Sequence, residues 1–203
     1  MRRRASGSDR PVQVVGRFLL RLIGWRITGA LPPEPRYILI VAPHTSNWDF
    51  FVGLFAKWAL GLDAAFLAKH TLFRGPVGWA LRALGGIPVD RARPEGTVEG
   101  VVARARAASS FVLAVTPEGT RKRSTGWKSG FHRIALAAGI PIVPVSFDWS
   151  THTVGLGAPF RPTSDAAADI VALRHQFTRR MARHPELFAD VRDPPESRLP
   201  EAT

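Results

Sequence analysis

A histidine and an aspartate five positions apart, His44 and Asp49, are the residues of this chain best suited to catalysis. A neutral imidazole accepts a proton from a hydroxyl group when its other nitrogen is held and the resulting positive charge is balanced, and a nearby carboxylate does both. Such a pair activates an alcohol without a covalent intermediate on the enzyme. The spacing alone is weak evidence, because histidine and aspartate fall together by chance in many proteins.

The elements around this pair predict an α/β domain. An apolar run at residues 37–42 predicts a strand, and residues 47–60 predict the helix that follows it. Further strands are predicted at 64–68, 87–89, 111–115 and 142–149, with helices at 77–84, 94–109, 129–138 and 165–183. This alternation is typical of a single-domain, mixed or mostly parallel sheet flanked by helices. We place that domain at residues 31–190, after a proline-rich linker at 31–35 and before a mobile tail at 191–203.

Most candidate site residues directly follow a predicted strand. They are His44, Lys69, Arg91, Glu118 and Arg121. Ligands bind at the carboxyl ends of strands in α/β sheets, so these side chains are expected to converge on one rim.

Three short blocks downstream strengthen the histidine–aspartate hypothesis: GIPVDR at 86–91, TPEGTR at 116–121 and IPIVPV at 140–145. Their order and spacing after the histidine–aspartate pair resemble the four motifs of the glycerolipid acyltransferase family, typified by 1-acylglycerol-3-phosphate acyltransferase. The resemblance runs from about residue 37 to residue 149. The chain is short for that family.

The resemblance implies a role for each matching residue. His44 is the general base and Asp49 orients it. Arg91 and Arg121 match positions associated with the acceptor's glycerol phosphate, and a guanidinium suits that task because it binds phosphate bidentately. Lys69 is a secondary candidate for substrate binding.

The block that contains Arg121 also supplies Glu118, Gly119 and Thr120 as substrate-binding candidates. Two roles stay open for Glu118, which either holds a glycerol hydroxyl or pairs with an arginine. Gly119 is expected to let the backbone approach the ligand closely.

The implied reaction moves a fatty acyl group from acyl-CoA or acyl carrier protein to a hydroxyl of a lysolipid, such as lysophosphatidic acid. The resemblance implies no metal and no bound cofactor. Phenylalanine and tryptophan residues either line an acyl groove or fill the core, and we expect most of them in the core: Phe50, Phe51, Phe55, Trp58, Phe66, Phe73 and Trp79.

Composition limits the alternatives. The 203 residues contain no cysteine, which excludes a thiol nucleophile, a zinc–thiolate site and a disulfide framework. A net charge of +12 indicates an anionic partner or surface. Nucleic acid is not expected, because the basic residues are spread along the chain and match no recognition motif. The alternative class is a non-catalytic protein that retains the fold and binds a membrane or nucleic acid.

The N-terminal segment, residues 1–30, is predicted to contain a basic amphipathic helix between residues 11 and 28. Its apolar residues recur at helical spacing, and Arg17, Arg21 and Arg26 lie largely off that face. The helix either packs on the domain or lies in an anionic headgroup layer. The lipid-enzyme motifs favour the second interpretation, with the protein peripheral on the cytoplasmic face of the cell membrane.

Overall fold

The computed structural model describes residues 11–89, 94–124 and 126–191, with only the backbone of residues 94–97. Arg91 and nearly all of the predicted tail lie outside the described residues. The strands are β1 (Arg26–Thr28), β2 (Arg36–Ala42), β3 (Ala64–Lys69), β4 (Gly86–Val89), β5 (Phe111–Val115), β6 (Ile142–Asp148) and β7 (Thr153–Leu156). The α-helices are α1 (Pro11–Leu22), α2 (Trp48–Ala59), α3 (Gly75–Ala83), α4 (Pro94–Ala107), α5 (Gly130–Ala138) and α6 (Ala166–Arg174).

These strands form one sheet in the order β1-β7-β6-β2-β5-β3-β4. Only the β6–β7 pair is antiparallel among the described strands. The predicted mostly parallel α/β sheet is therefore confirmed. Because β2, β3, β5 and β6 run in the same direction, the chain segments that follow them all emerge at one edge of the sheet.

Both faces of the sheet are buried, and the alternation of side chains along β2 shows how. Ile38 and Ile40 point into a core shared with α4, α5 and α6, whereas Tyr37 and Leu39 point into a core shared with α1 and α2. A strand buried on both faces reads as a continuous apolar run, as residues 37–42 do.

The first helix is shorter than the sequence predicts. It ends at Leu22, and Gly24 then adopts a left-handed conformation (φ 76°) while its N–H bonds to the carbonyl of Arg21. Glycine at this position terminates a helix at little steric cost. Residues 26–28 instead form β1, which pairs with β7, so Arg26 is not a helical residue. The sheet therefore includes residues of the predicted N-terminal segment (1–30) as well as residues of the predicted α/β domain (31–190).

The helix α1 packs on the domain and also exposes an apolar face. Gly16 and Leu20 are buried, and a Cβ at Gly16 would meet the backbone of α2 at Trp58 and Ala59. On the outer side, Phe18 is 62% and Leu22 69% exposed. None of the described helices has the length and apolar character needed to cross a bilayer.

The predicted helix at 165–183 is also too long. Asp165 caps α6 by accepting a hydrogen bond from the N–H of Ala168, and the helix ends at Arg174. After it, the chain turns back across the sheet edge, where the carbonyl of Met181 accepts a hydrogen bond from the N–H of Trp149. Residues 175–183 leave the helix that the sequence pattern predicts, and Met181 is held at the sheet edge instead.

Candidate active site

His44 and Asp49 meet at the carboxyl end of β2. His44 comes two residues after the strand, and Asp49 lies in the first turn of α2. Nδ1 of His44 is 3.1 Å from Oδ2 of Asp49, an ion-pair distance without the alignment of a regular hydrogen bond. With Nδ1 facing the carboxylate, Nε2 is the ring nitrogen left to accept a proton from a substrate.

Asp49 is 2% exposed, and both of its oxygens are held. Oδ2 accepts a hydrogen bond of 2.9 Å from the N–H of Ser46, and Oδ1 accepts one of 2.9 Å from the indole N–H of Trp149. The hydroxyl of Ser46 in turn accepts from the N–H of Trp48, the first residue of α2. These bonds fix the carboxylate against the imidazole before any substrate arrives.

Glu118 holds the main chain of the histidine. Its Oε2 accepts a hydrogen bond of 3.0 Å from the N–H of His44. This role is neither of the two that the sequence left open, holding a glycerol hydroxyl or pairing with an arginine. Burial raises the pKa of the Glu118 carboxyl to about 7, and the charge of Asp49 adds to this rise, while the His44 N–H and the charge of Arg174 oppose it. Near neutral pH, Glu118 is therefore divided between its protonated and ionised forms.

The turn after β5 places the remaining residues of the third block. Gly119 adopts a left-handed conformation (φ 66°), and a Cβ there would meet the side chain of Lys128. Glycine is therefore required by the turn itself. Thr120 accepts a hydrogen bond from the N–H of Lys122, and Arg121 is exposed at the rim.

A cavity of about 460 Å³ opens beside His44, between α2 and the sheet. Ala64 and Lys69, the first and last residues of β3, both line it, so it follows the whole strand over about 17 Å. The residues of the rim that line it include His44, Lys69, Gly119, Thr120 and Arg121. Its walls are largely apolar, with Leu39, Val41, Phe50, Leu54, Phe66, Ala114 and Val145 among them.

The aromatic residues correct one expectation. Of the seven expected mostly in the core, only Phe73 is buried, while Phe51 is 45% and Trp79 is 74% exposed. Phe50 and Phe66 line the cavity with their rings in edge contact, 5.8 Å between centroids. Phe50 and Phe66 face this cavity instead of the core, whereas Phe55 is partly buried against the core beneath α2.

The sequence analysis did not select two residues beside the histidine–aspartate pair, Trp149 and Arg183. Trp149 directly follows β6, so the strand-end rule that selects His44 also selects this residue. The guanidinium of Arg183 lies 4.5 Å from the ring centroid of Trp149 and 5.6 Å from that of Trp48. No local sequence pattern places Arg183 here, because it follows a helix and not a strand.

The site and the fold together define an α/β protein with a histidine–aspartate pair at the mouth of an apolar cavity. A family model described as acyltransferase matches residues 26–148, which is more than half of the chain. The chain belongs to the acyltransferase family.

Individual relatives agree with that assignment. The chain is 30% identical over 148 residues to 1-acyl-sn-glycerol-3-phosphate acyltransferase of Streptococcus pneumoniae (strain ATCC BAA-255 / R6), covering 68% of this chain and 55% of the relative. It is 33% identical over 141 residues to the protein of the same name from Cocos nucifera, covering 65% of this chain and 44% of the relative. The chain thus spans about half the length of the curated relatives it matches.

A solved structure shows the same fold. The 1-acyl-sn-glycerophosphate (LPA) acyltransferase PlsC from Thermotoga maritima superimposes with a TM-score of 0.58 at 19% sequence identity, over 81% of this chain and 74% of that one. At this level of identity, the likeness concerns the fold.

Proposed function

We propose that this protein transfers a fatty acyl group from a thioester donor, acyl-CoA or acyl carrier protein, to the free hydroxyl of lysophosphatidic acid or a related lysolipid. The observation that carries the proposal is the 3.1 Å contact between Nδ1 of His44 and Oδ2 of Asp49 at the mouth of an apolar cavity. The names of the relatives support the choice of acceptor.

In the proposed reaction, Nε2 of His44 takes the proton of the acceptor hydroxyl as its oxygen attacks the carbonyl carbon of the thioester. Asp49 balances the positive charge that forms on the imidazole. The tetrahedral intermediate then collapses, the carbon–sulfur bond breaks, and the departing thiolate takes the proton from the imidazolium. No covalent bond to the protein forms and no bound cofactor takes part.

The cavity is assigned to the acyl chain of the donor. It runs along β3, its walls are mainly aliphatic and aromatic, and His44 lies at its rim. Burial of each methylene group contributes about 0.8 kcal/mol, so an extended chain in this cavity supplies much of the binding energy of the donor.

Docking on an anionic membrane is assigned to the outer face of α1. The exposed apolar side chains of this helix, Val12, Val14, Val15, Phe18 and Leu22, form a face suited to the headgroup boundary. Arg21 near its end and the net charge of +12 favour an anionic surface. We place the protein on the cytoplasmic side of the membrane.

The experiment that tests this proposal offers the purified protein a panel of acceptors with both donor types and identifies the products by mass spectrometry. Formation of phosphatidic acid from lysophosphatidic acid supports the proposal. The alternative, a non-catalytic membrane-binding protein, is favoured if folded protein binds anionic vesicles but acylates no acceptor in the panel.

A further inference from the structure

A second pocket lies next to the histidine–aspartate pair, and it differs from the acyl cavity in being polar. It has a volume of about 350 Å³ and is lined by residues 45–48 of the loop after His44, together with Arg121, Arg183 and His184. Arg121 lines both this pocket and the apolar cavity. A single ligand that reaches His44 can therefore have an anionic end here.

The guanidinium of Arg183 is held in place by aromatic rings. It lies 4.5 Å from the centroid of Trp149 and 5.6 Å from that of Trp48. Such contacts hold a guanidinium by its flat face and leave the N–H groups at its edge available for a ligand. Among the residues that the structure describes, neither Arg183 nor Arg121 forms an ion pair with a carboxylate.

The main chain next to Arg183 is also fixed to the site. The N–H of His184 donates a hydrogen bond of 3.2 Å to the hydroxyl of Thr45, the residue directly after His44. On the other side, the N–H of Trp149 donates one of 2.9 Å to the carbonyl of Met181. The position of Arg183 relative to the pair is therefore set by hydrogen bonds on both sides of it.

We propose that Arg183 is the second arm, with Arg121, of an anion-binding subsite for the phosphate group of the acceptor. This inference rests on the proposed function. Two guanidinium groups without carboxylate partners in one polar pocket suit a phosphate monoester, which carries up to two negative charges and accepts bidentate hydrogen bonds. The pocket is formed by the loop directly after His44, so a bound phosphate places the acceptor hydroxyl near the base.

We assign the phosphate in this pocket to the acceptor and not to the donor. The acyl end of the donor is assigned to the neighbouring cavity at the same rim, which places its carbonyl close to this pocket. The phosphates of acyl-CoA are many bonds from the acyl carbonyl. In the acceptor, the phosphate and the reacting hydroxyl are close together, as the adjacent pocket and base require.

The test compares Arg183→Ala and Arg183→Lys with a matched control, Arg180→Ala, which removes an exposed arginine from the same segment outside the pocket. Three quantities are measured: the KM for lysophosphatidic acid, the KM for the donor, and the affinity for inorganic phosphate by calorimetry. We expect Arg183→Ala to raise the acceptor KM about tenfold or more and to weaken phosphate binding similarly. Arg183→Lys should restore part of each, and Arg180→Ala should resemble the wild type.

Monoacylglycerol, an acceptor without a phosphate, serves as a control for general damage to the active site. The KM for monoacylglycerol should be the same in the wild type and in Arg183→Ala. A rise in the donor KM alone, or unchanged phosphate affinity in Arg183→Ala, would overturn the assignment. The calorimetric measurement does not depend on turnover. Loss of phosphate binding in Arg183→Ala, with no acyl transfer by the wild type, would support the subsite and overturn the proposed function.

Discussion

The indole N–H of Trp149 donates a hydrogen bond of 2.9 Å to Oδ1 of Asp49, although the two residues are 100 positions apart. The bond joins the end of β6 to the first turn of α2. It leaves Oδ2 of the carboxylate to His44 and to the N–H of Ser46. The orientation of the proposed base therefore depends on a residue outside the four motif blocks.

Replacing this tryptophan by phenylalanine tests its role. Trp149→Phe keeps an aromatic ring but removes the donor, which leaves a buried carboxylate oxygen without its partner at a cost of about 1–3 kcal/mol. We expect kcat to fall about tenfold or more, with a smaller change in the donor KM. Steady-state kinetics measure both. Trp127→Phe, on the other face of the sheet, serves as the control, and equal losses in the two variants would count against a specific role for Trp149.

The raised pKa of Glu118 predicts a pH dependence of stability. The carboxyl group titrates at about 7 in the folded protein against an ordinary value of 4.5, so between these values the folded state holds a proton that the unfolded state has lost. The free energy of unfolding should therefore fall as the pH rises through this window, by up to about 3 kcal/mol. In Glu118→Gln this component should be absent. Denaturant titrations from pH 4 to pH 8 measure it, and parallel pH profiles for the two proteins would contradict it.

The acyl cavity predicts a change in chain-length preference. Ala114 lies on β5 and lines the cavity from the sheet side. Ala114→Leu should fill part of it, so that the activity with long-chain donors falls several-fold relative to short-chain donors. The matched control is Ala137→Leu on the exposed face of α5. Competition between donors of different length, read by mass spectrometry, measures the preference, and an unchanged product distribution would place the acyl chain elsewhere.

The outer face of α1 predicts membrane binding that can be removed without unfolding. Because Phe18 and Leu22 are mostly exposed, Phe18→Ser combined with Leu22→Ser should leave the melting temperature nearly unchanged while releasing the protein from vesicles of phosphatidylglycerol and phosphatidylcholine. Leu136→Ser combined with Val171→Ser removes two exposed apolar residues from α5 and α6 as a control. Binding by the first double variant that matches the wild type in sedimentation assays would refute docking through α1.

Point substitutions are preferred here to deletion of the N-terminal segment. Residues 26–28 form β1, and Leu20 and Trp25 belong to the core beneath α2. Deleting residues 1–28 would therefore remove part of the sheet and expose that core, and loss of binding would not distinguish docking from unfolding.

The sequence predicts the parts of the fold that local patterns control. Residues 37–42 and 111–115 are apolar runs of strand length, and both form strands at almost the predicted bounds. The strand-end rule also places Lys69 and Arg121 together at one rim, because parallel strands end at the same edge.

The sequence does not predict what depends on partners distant in the chain. The strand β1 has three residues and exists because β7 pairs with it. The position of Arg183 depends on hydrogen bonds that join its neighbours His184 and Met181 to Thr45 and Trp149, which no periodicity encodes. The hydrogen bond that the N–H of His44 donates to Glu118 is likewise not predictable from the sequence, since every non-proline residue has such a main-chain N–H.

The role of His44 as the base is tested most directly by the rates at which the wild type, His44→Ala and Asp49→Asn form phosphatidic acid from lysophosphatidic acid and an acyl thioester. Loss of the base should lower kcat by about 10²–10⁴-fold, and Asp49→Asn, which keeps the shape but not the charge, should also be severe. Circular dichroism should show all three proteins folded. Turnover by His44→Ala at the wild-type rate would contradict the assignment of His44 as the base.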